Sequence, residues 1–225
     1  MECMFYSRLV KTSADMTRRV NPSGAIILAA APMYLALVPL TSYLTKPDSI
    51  CQSLTHALIK LLPGVGVSSI TAGRAIPALS ALYLFWTFGA SGAASAAGQA
   101  MSREEGFDND HPRKHVHNMD GFPLRLRSAH YALMENFPGT DYVLVSLMTV
   151  MRLTAVVAFA LAAALAQILA PNDAQIVNLL GFHVMAKLLV HYPSYLSNIA
   201  LPRTVAHISA TSALVNVCWR LAAGA

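Results

Sequence analysis

Long apolar stretches without charged side chains divide this chain into candidate membrane spans. No Asp, Glu, Lys or Arg occurs in four of them, residues 24–44, 75–102, 153–172 and 204–219. A fifth stretch, residues 174–202, has Lys187 as its single formal charge. The length of each stretch is close to the roughly 20 residues that a helix needs to cross a hydrocarbon core of about 30 Å. The runs are continuous and rich in Ala and Leu rather than alternating, so they predict helices and not barrel strands.

Composition supports the membrane interpretation. Charged residues make up 12% of the 225-residue chain, half the roughly 25% of an average soluble domain, and the mean hydropathy is +0.49. These values exclude a soluble globule, a disordered chain, which needs low hydrophobicity, and a coiled coil, which needs dense charge. The net charge is +5, but the basic residues flank apolar runs, which predicts orientation in a lipid bilayer and no binding of nucleic acid.

The chain divides into an N-terminal extension, residues 1–75, and a helical bundle, residues 76–225. The extension has a basic segment, the apolar run 24–44 and a linker, a layout typical of a signal anchor, an organellar presequence or a first span. Pro and Gly breakers in residues 45–74 predict a linker or a surface-lying segment. The predicted fold is all-α, an integral membrane four-helix bundle whose extension can add a further hydrophobic helix. Its spans are predicted at residues 76–100, 142–170, 174–197 and 204–222.

A polar loop, residues 103–127, carries ten of the chain's 27 charges. Five of the ten are Lys or Arg, which predicts that the loop lies on the cytosolic or matrix side of an endomembrane or mitochondrial membrane. His111, His115 and His117 also lie here. Pro112 interrupts helical spacing and no cysteine is near, so we expect no metal site.

The second half of the span at residues 76–100 is rich in Gly, Ala and Ser. Small residues recur every fourth position in two rows: Gly89, Ala93 and Ala97, and Gly92 and Ala96. Because small side chains let helix backbones approach closely, we expect these rows to pack against another helix.

Ionisable residues inside the span at 174–197 are the sharpest candidates for function. His183, Lys187, His191 and Tyr195 repeat every four residues, which places them on one slowly drifting face of an α-helix. A Lys at bilayer depth costs a few kcal/mol, so Lys187 should face a partner, water or a ligand. It can pair with Glu135 or with a carbonyl, which would be a purely structural role.

A second group of candidates lies in residues 125–138, before the span at 142–170. His130 or Tyr131 lies about one turn after Arg127, and Met134 or Glu135 about two turns after it, so cation, imidazole and carboxylate can line one helix face. A carboxylate there can hold an amine, and arginines can hold the carboxylates of a charged ligand. The same pattern is also typical of a solvated helix start.

These residues resemble the MAPEG family, the membrane-associated proteins of eicosanoid and glutathione metabolism, and its bacterial and fungal members most closely. The likeness covers about residues 76–222. It rests on Phe107-Asp-Asn-x-x-Pro-Arg113, followed by Arg127, Ala129-His130, Glu135 and Pro138. A second match is His191-x-x-x-Tyr195 followed by Arg203-Thr204.

The resemblance implies a four-helix fold, usually trimeric, that holds glutathione between helices of neighbouring subunits. It implies that Glu135 binds the amino end of glutathione and that His191 and Tyr195 line the site. Arg203 or Thr204 would activate the thiol, since a guanidinium favours the nucleophilic thiolate. Our candidate catalytic residues are Arg203, Thr204 and Tyr195, and our candidate glutathione-binding residues are Arg127, His130, Glu135, Lys187 and His191.

Three positions depart from the family pattern. Ala132 replaces a glutathione-binding Asn, Lys187 replaces an Arg of the third helix, and Met101 lies near the position of an Arg, with Arg103 two residues away. A guanidinium binds carboxylates as a fork, which Lys187 cannot reproduce.

We therefore carry several functional hypotheses. The first is a glutathione-dependent transferase or peroxidase acting on lipophilic electrophiles, with glutathione as co-substrate. The alternative is a non-catalytic MAPEG-derived subunit of a larger organellar membrane complex, for example a mitochondrial one. The expected partners are accordingly the lipid bilayer and either two further copies of the chain or other subunits. A third, a proton or ion conductor using His183, Lys187 and His191, lacks the internal repeat typical of transporters.

Overall fold

A computed structural model describes residues 32–62, 73–102, 104, 106, 119–134 and 154–224, with side chains from residue 158 onward in the last range. All regular structure in these ranges is helical. The helices are α1 (Met33–Ala36), α2 (Val38–Leu44), α3 (Ile50–Ile59), α4 (Ala75–Met101), α5 (Gly121–Met134), α6 (Thr154–Leu169), α7 (Ala174–Leu196) and α8 (Ala200–Ala222). Helices α4 and α7 each contain a π-helical segment, Phe85–Ala90 and Ala186–His191.

Two of the described helices are long and apolar enough to cross a membrane, α4 with 27 residues and α7 with 23. They coincide with the spans predicted at 76–100 and 174–197. Helix α8 also has 23 residues, but Arg203 and Arg220 near its ends make it less apolar. Within the predicted span 142–170, the described part is α6.

Helices α7 and α8 form an antiparallel hairpin. Asp173 caps α7, because its carboxylate accepts hydrogen bonds from the backbone N–H groups of Gln175 (2.8 Å) and Ile176 (3.0 Å). The other end of the hairpin turns at Asn198, which has a positive φ of 58°. The same Asp173 carboxylate lies 3.7 Å from Arg220 in the last turn of α8, so the open end of the hairpin is joined by an ion pair.

Helix α3 lies within the segment predicted as a linker or a surface-lying stretch, yet it packs tightly against α7. Its Thr55 and Ile59 are fully buried. A Cβ at Gly181 of α7 would overlap the Thr55 side chain, so glycine is what allows the two helices to approach this closely. The described residues from Tyr34 onward, α3 among them, belong to one compact unit.

Two buried amides of the hairpin bind the backbone and side chains of α2 and the turn after it. Asn178 of α7 donates to the carbonyls of Thr45 (3.2 Å) and Lys46 (3.3 Å). Asn216 of α8 donates to the hydroxyls of Thr41 (3.0 Å) and Ser42 (2.7 Å). Because α2 ends at Leu44, the carbonyls of Thr45 and Lys46 have no partner within the helix, and Asn178 supplies one.

Helices α4 and α5 pack closely through small residues, and the packed face agrees with the predicted rows only in part. Ser91, Ser95 and Gly98 are buried, and a Cβ at Gly98 would lie 2.9 Å from the carbonyl oxygen of Pro123. Of the two predicted rows, Gly92 and Ala96 are half-buried, and a Cβ at Gly92 would lie 3.7 Å from the His130 ring of α5. Gly89, Ala93 and Ala97 are exposed, and for that row the prediction is wrong. Small residues occur all round this half of α4, so their spacing alone did not identify the buried face.

Candidate functional site

The ionisable residues of α7 meet one residue of α8 inside the bundle and form a basic cluster of His183, Lys187, His191 and His207. Lys187 is 1% exposed, and its Nζ lies 3.0 Å from Nδ1 of His207. The rings of His191 and His207 have their centroids 5.7 Å apart. His183 lies at the inner end, stacked on Phe159 at 5.2 Å.

Hydrogen bonds to carbonyls assign the protons on two of these rings. His183 Nδ1 lies 2.9 Å from the carbonyl oxygen of Ala210, and His191 Nδ1 lies 3.0 Å from that of Arg203. Since a carbonyl only accepts, both Nδ1 atoms carry the hydrogen. In the neutral rings each Nε2 is then a bare acceptor, buried and without a hydrogen-bond partner among the described residues. Each histidine therefore ties α7 to the backbone of α8.

The π-helical segment Ala186–His191 explains why residues four apart share one face. At about 3.6 residues per turn, a residue four positions on has advanced past one full turn, so the row drifts around an α-helix. A π-helical turn takes more residues, and it reverses part of that drift. Lys187 and His191 lie in this segment and so both remain directed at α8.

Tyr195, Arg203 and Thr204 lie at the closed end of the hairpin. The Arg203 guanidinium lies over the Tyr195 ring, 4.7 Å from its centroid, and the ring of Tyr195 contacts that of His191 edge-on at 5.9 Å. The Thr204 hydroxyl is exposed and donates to the carbonyl of Ala200, 3.0 Å away. The structure thus brings the predicted residues of α7 and α8 together, with Thr204 bonded to its own helix.

The predicted residues of α5 lie against α4 instead. Nδ1 of His130 is 2.9 Å from the Ser91 hydroxyl, which itself donates to the carbonyl of Thr87 at 2.6 Å. Burial lowers the pKa of His130 from its ordinary value of 6.5. The Thr87 carbonyl, which can also accept a hydrogen bond from the ring, opposes this shift, and the positive charge of Arg127 lowers the pKa further. His130 is therefore a neutral ring that joins the two helices at physiological pH.

Arg127 lies one turn before His130 and contacts Tyr131. Its Nη2 donates to the Tyr131 hydroxyl at 3.2 Å, and its Nη1 is buried without a hydrogen-bond partner in the described part of the chain. Nearby, Arg125 Nε donates to the carbonyl of Leu196 at 2.9 Å. The start of α5 therefore lies at the end of α7, on the side where Tyr195 and Arg203 meet.

Some of the predicted positions lie outside the described residues. They are Glu135, Arg103 and the loop histidines His111, His115 and His117. Within the described ranges, no three His, Cys, Asp or Glu side chains lie close enough together to hold a metal ion.

His207 was missed in the sequence. It lies in the stretch 204–219, which has no formal charge, and counting only Asp, Glu, Lys and Arg passed over it. A usable signal was present, because Arg203 and His207 are four apart on α8, as His183 and Lys187 are on α7. Asn178 and Asn216 were missed for the same reason, as uncharged amides within apolar runs.

Comparison with known proteins adds no identification. No protein-family model matches the sequence, and searches of curated proteins and of solved structures found no match. The MAPEG resemblance therefore rests on the residue patterns alone.

Proposed function

We propose that this chain is an integral membrane helical bundle that serves as a non-catalytic subunit of a larger membrane complex. The observation that carries the proposal is that the candidate catalytic groups already bond to groups within the chain. The Thr204 hydroxyl is bonded to Ala200, His191 to the Arg203 carbonyl, and the Arg203 guanidinium lies on Tyr195. A nucleophile-activating group needs its donor or acceptor directed at substrate, whereas the His191 and Arg203 contacts join α7 to α8 and the Thr204 contact lies within α8.

The exposed surface of the described helices supports the membrane part of the proposal. Large apolar side chains are exposed on four helices: Phe85 and Phe88 on α4, Leu161 and Ile168 on α6, Leu189 on α7, and Leu201 and Trp219 on α8. Lipid or neighbouring subunits would cover such a surface, which a soluble monomer rarely presents. Two helices of sufficient length and apolarity are consistent with this.

Blue-native electrophoresis of gently solubilised native membranes tests the proposal, after alkaline carbonate extraction has established that the protein stays in the bilayer. We expect the chain to migrate with a complex much larger than three chains of 24.1 kDa. Tyr195→Phe and Thr204→Val should leave that assembly unchanged. A stand-alone trimer would contradict the proposal, and release by carbonate would contradict membrane insertion itself.

The second candidate function is glutathione-dependent conjugation or reduction of lipophilic electrophiles. It is favoured by the buried Nη1 of Arg127, a donor without a partner among the described residues, near the end of the hairpin that holds Arg203 and Tyr195. Guanidinium donors bind carboxylates strongly, and glutathione carries two of them. In this case the chain would form the trimer that the MAPEG resemblance implies.

Isothermal titration of glutathione into the detergent-purified protein separates the two candidates. The enzyme hypothesis predicts saturable binding at millimolar concentration, weakened about tenfold or more by Arg127→Leu, which removes a charge-assisted contact. Arg220→Leu at the opposite end of the hairpin is the matched control and should bind as the parent does. No binding at millimolar glutathione would eliminate the enzyme hypothesis.

A further inference from the structure

An apolar groove runs between α4 and α6. Its volume is about 300 Å³, which is at the small end of ligand-binding pockets. The α6 wall is made largely of alanines, among them Ala160 and Ala164, and the α4 wall includes Pro77 and Leu84. The alanines create the groove, because larger side chains at these positions would fill it.

The outer end of the groove carries a polar group. Gln167, in the last turn of α6, lines the groove, and its Oε1 is buried without a hydrogen-bond partner in the described part of the chain. A Cβ at Gly73, just before α4, would lie 3.9 Å from Gln167 Nε2, which places this amide at the ends of both helices. Ser80 also lines the groove, but its hydroxyl already donates to the Ile76 carbonyl.

The inner end is apolar and reaches the centre of the bundle. Leu84 and Phe159 line this end, where Leu84 is exposed and Phe159 is buried and stacks on His183. If α4 spans the bilayer, the groove runs along the depth of one leaflet. The Gln167 amide then lies toward the lipid headgroups, and the apolar end lies near the middle of the bilayer. A membrane amphiphile has the same order of polar and apolar parts along its length.

We propose that this groove binds a single-chain lipid with a neutral hydroxyl head, such as a long-chain alcohol, which donates a hydrogen bond to Gln167 Oε1. An unsatisfied acceptor selects a donor, so it disfavours carboxylate and phosphate heads. Among the described residues, no carboxylate lines the groove to compensate an ammonium head. The volume suits one chain rather than the two of a phospholipid. The inference rests on the proposed membrane insertion but on neither candidate activity.

Photo-crosslinking of the full-length protein in nanodiscs tests this assignment. The probe is hexadecanol carrying a chain diazirine and an alkyne, and its methyl ether, which cannot donate, is the matched probe. We expect the alcohol to label peptides of α4 and α6. Ala160→Trp fills the groove and should reduce labelling about tenfold, as a lost binding site would. Leu161→Trp, an exposed neighbour that does not line the groove, should label as the parent does.

The hydrogen bond is tested separately with Gln167→Leu. We expect labelling by the alcohol to fall about fivefold, the size of one neutral hydrogen bond, and labelling by the ether to stay low in both proteins. Equal labelling of parent and Ala160→Trp would overturn the site. Equal labelling by alcohol and ether, or by a diazirine phosphatidylcholine, would show ordinary surrounding lipid and overturn the proposed head group. None of these outcomes depends on subunit assembly or glutathione binding.

Discussion

Nζ of Lys187 and Nδ1 of His207 lie 3.0 Å apart in the interior of the α7–α8 hairpin. A hydrogen bond at this distance needs a proton on one nitrogen and a lone pair on the other. Lys187 and His207 thus give each other a hydrogen-bond partner, without which burying either polar group would cost free energy. The pair joins the two helices in their interior, between the Asp173–Arg220 ion pair at one end of the hairpin and the contact of Arg203 with Tyr195 at the other.

A double-mutant cycle on this pair should show coupling. Lys187→Met and His207→Phe each leave a buried polar group without this partner, so each should lower the free energy of unfolding by about 1–3 kcal/mol. The double variant should lose less than the sum, with a coupling energy on the order of 1 kcal/mol. Thermal unfolding in detergent measures all four proteins. Lys187→Met combined with exposed Trp219→Phe is the control pair, and additivity at both pairs would refute the contact.

The four-residue spacing on α7 correctly predicted that His183, Lys187 and His191 share a face, and the structure adds the reason the face does not drift. The sequence carries no plain signal for the π-helical segment that aligns Lys187 with His191. The partner, His207, lies 20 residues further on, and only the hairpin brings it close. Spacing within one helix is local information, whereas pairing between helices depends on how they are packed.

Gly181→Ala should disrupt the contact between α3 and α7. The added methyl group would overlap the Thr55 side chain, and overpacking of this kind costs about 1–3 kcal/mol. Cys51 of α3 reports the result, because it is buried with its thiol bonded to the Asn178 carbonyl, and burial raises its pKa. We expect maleimide labelling of Cys51, followed by mass spectrometry, to be faster in the variant.

Thr55→Ala should restore part of the protection of Cys51 in the Gly181→Ala background, since it removes two of the three overlapping atoms. Gly92→Ala is the matched control. A Cβ there meets only the His130 ring, at an ordinary 3.7 Å, and replacing a helical glycine with alanine favours the helix. Unchanged labelling of Cys51 in Gly181→Ala would show that α3 does not pack as described.

The position of α3 shows where prediction from sequence stops. Breakers in residues 45–74 predict a linker or a surface-lying segment, whereas the described part of this stretch contains the ten-residue helix α3, packed against α7. A helix this short is marginal by itself and takes its stability from packing. That packing depends on Gly181 and Asn178, more than 120 residues away, so periodicity within the segment could not reveal it.

Asn216→Leu should loosen α2 from α8. The amide donates to the hydroxyls of Thr41 and Ser42, both on α2, and a leucine of similar size leaves these groups without that donor. We expect a loss of about 1–3 kcal/mol and faster proteolysis within α2, followed by mass spectrometry. Asn172→Leu, at an exposed position in the α6–α7 turn, should change neither. Proteolysis at the parent rate would show that Asn216 does not secure α2.

The contact between α4 and α5 should weaken in mild acid through His130. Burial holds the pKa of this ring below its ordinary 6.5, so the folded protein resists protonation that the unfolded chain accepts. The contribution of neutral His130 to the stability of the fold is therefore complete above pH 6.5 and is lost as the pH falls from there toward the lowered pKa.

His130→Asn keeps an N–H near the Nδ1 position but does not titrate, so it isolates this effect from other histidines. Between about pH 7.5 and about pH 5.5, which bracket the ordinary histidine pKa, the melting temperature of the parent should fall by a few degrees more than that of His130→Asn. Equal shifts in the two proteins would mean that His130 is not a neutral bridge to Ser91 in the folded state.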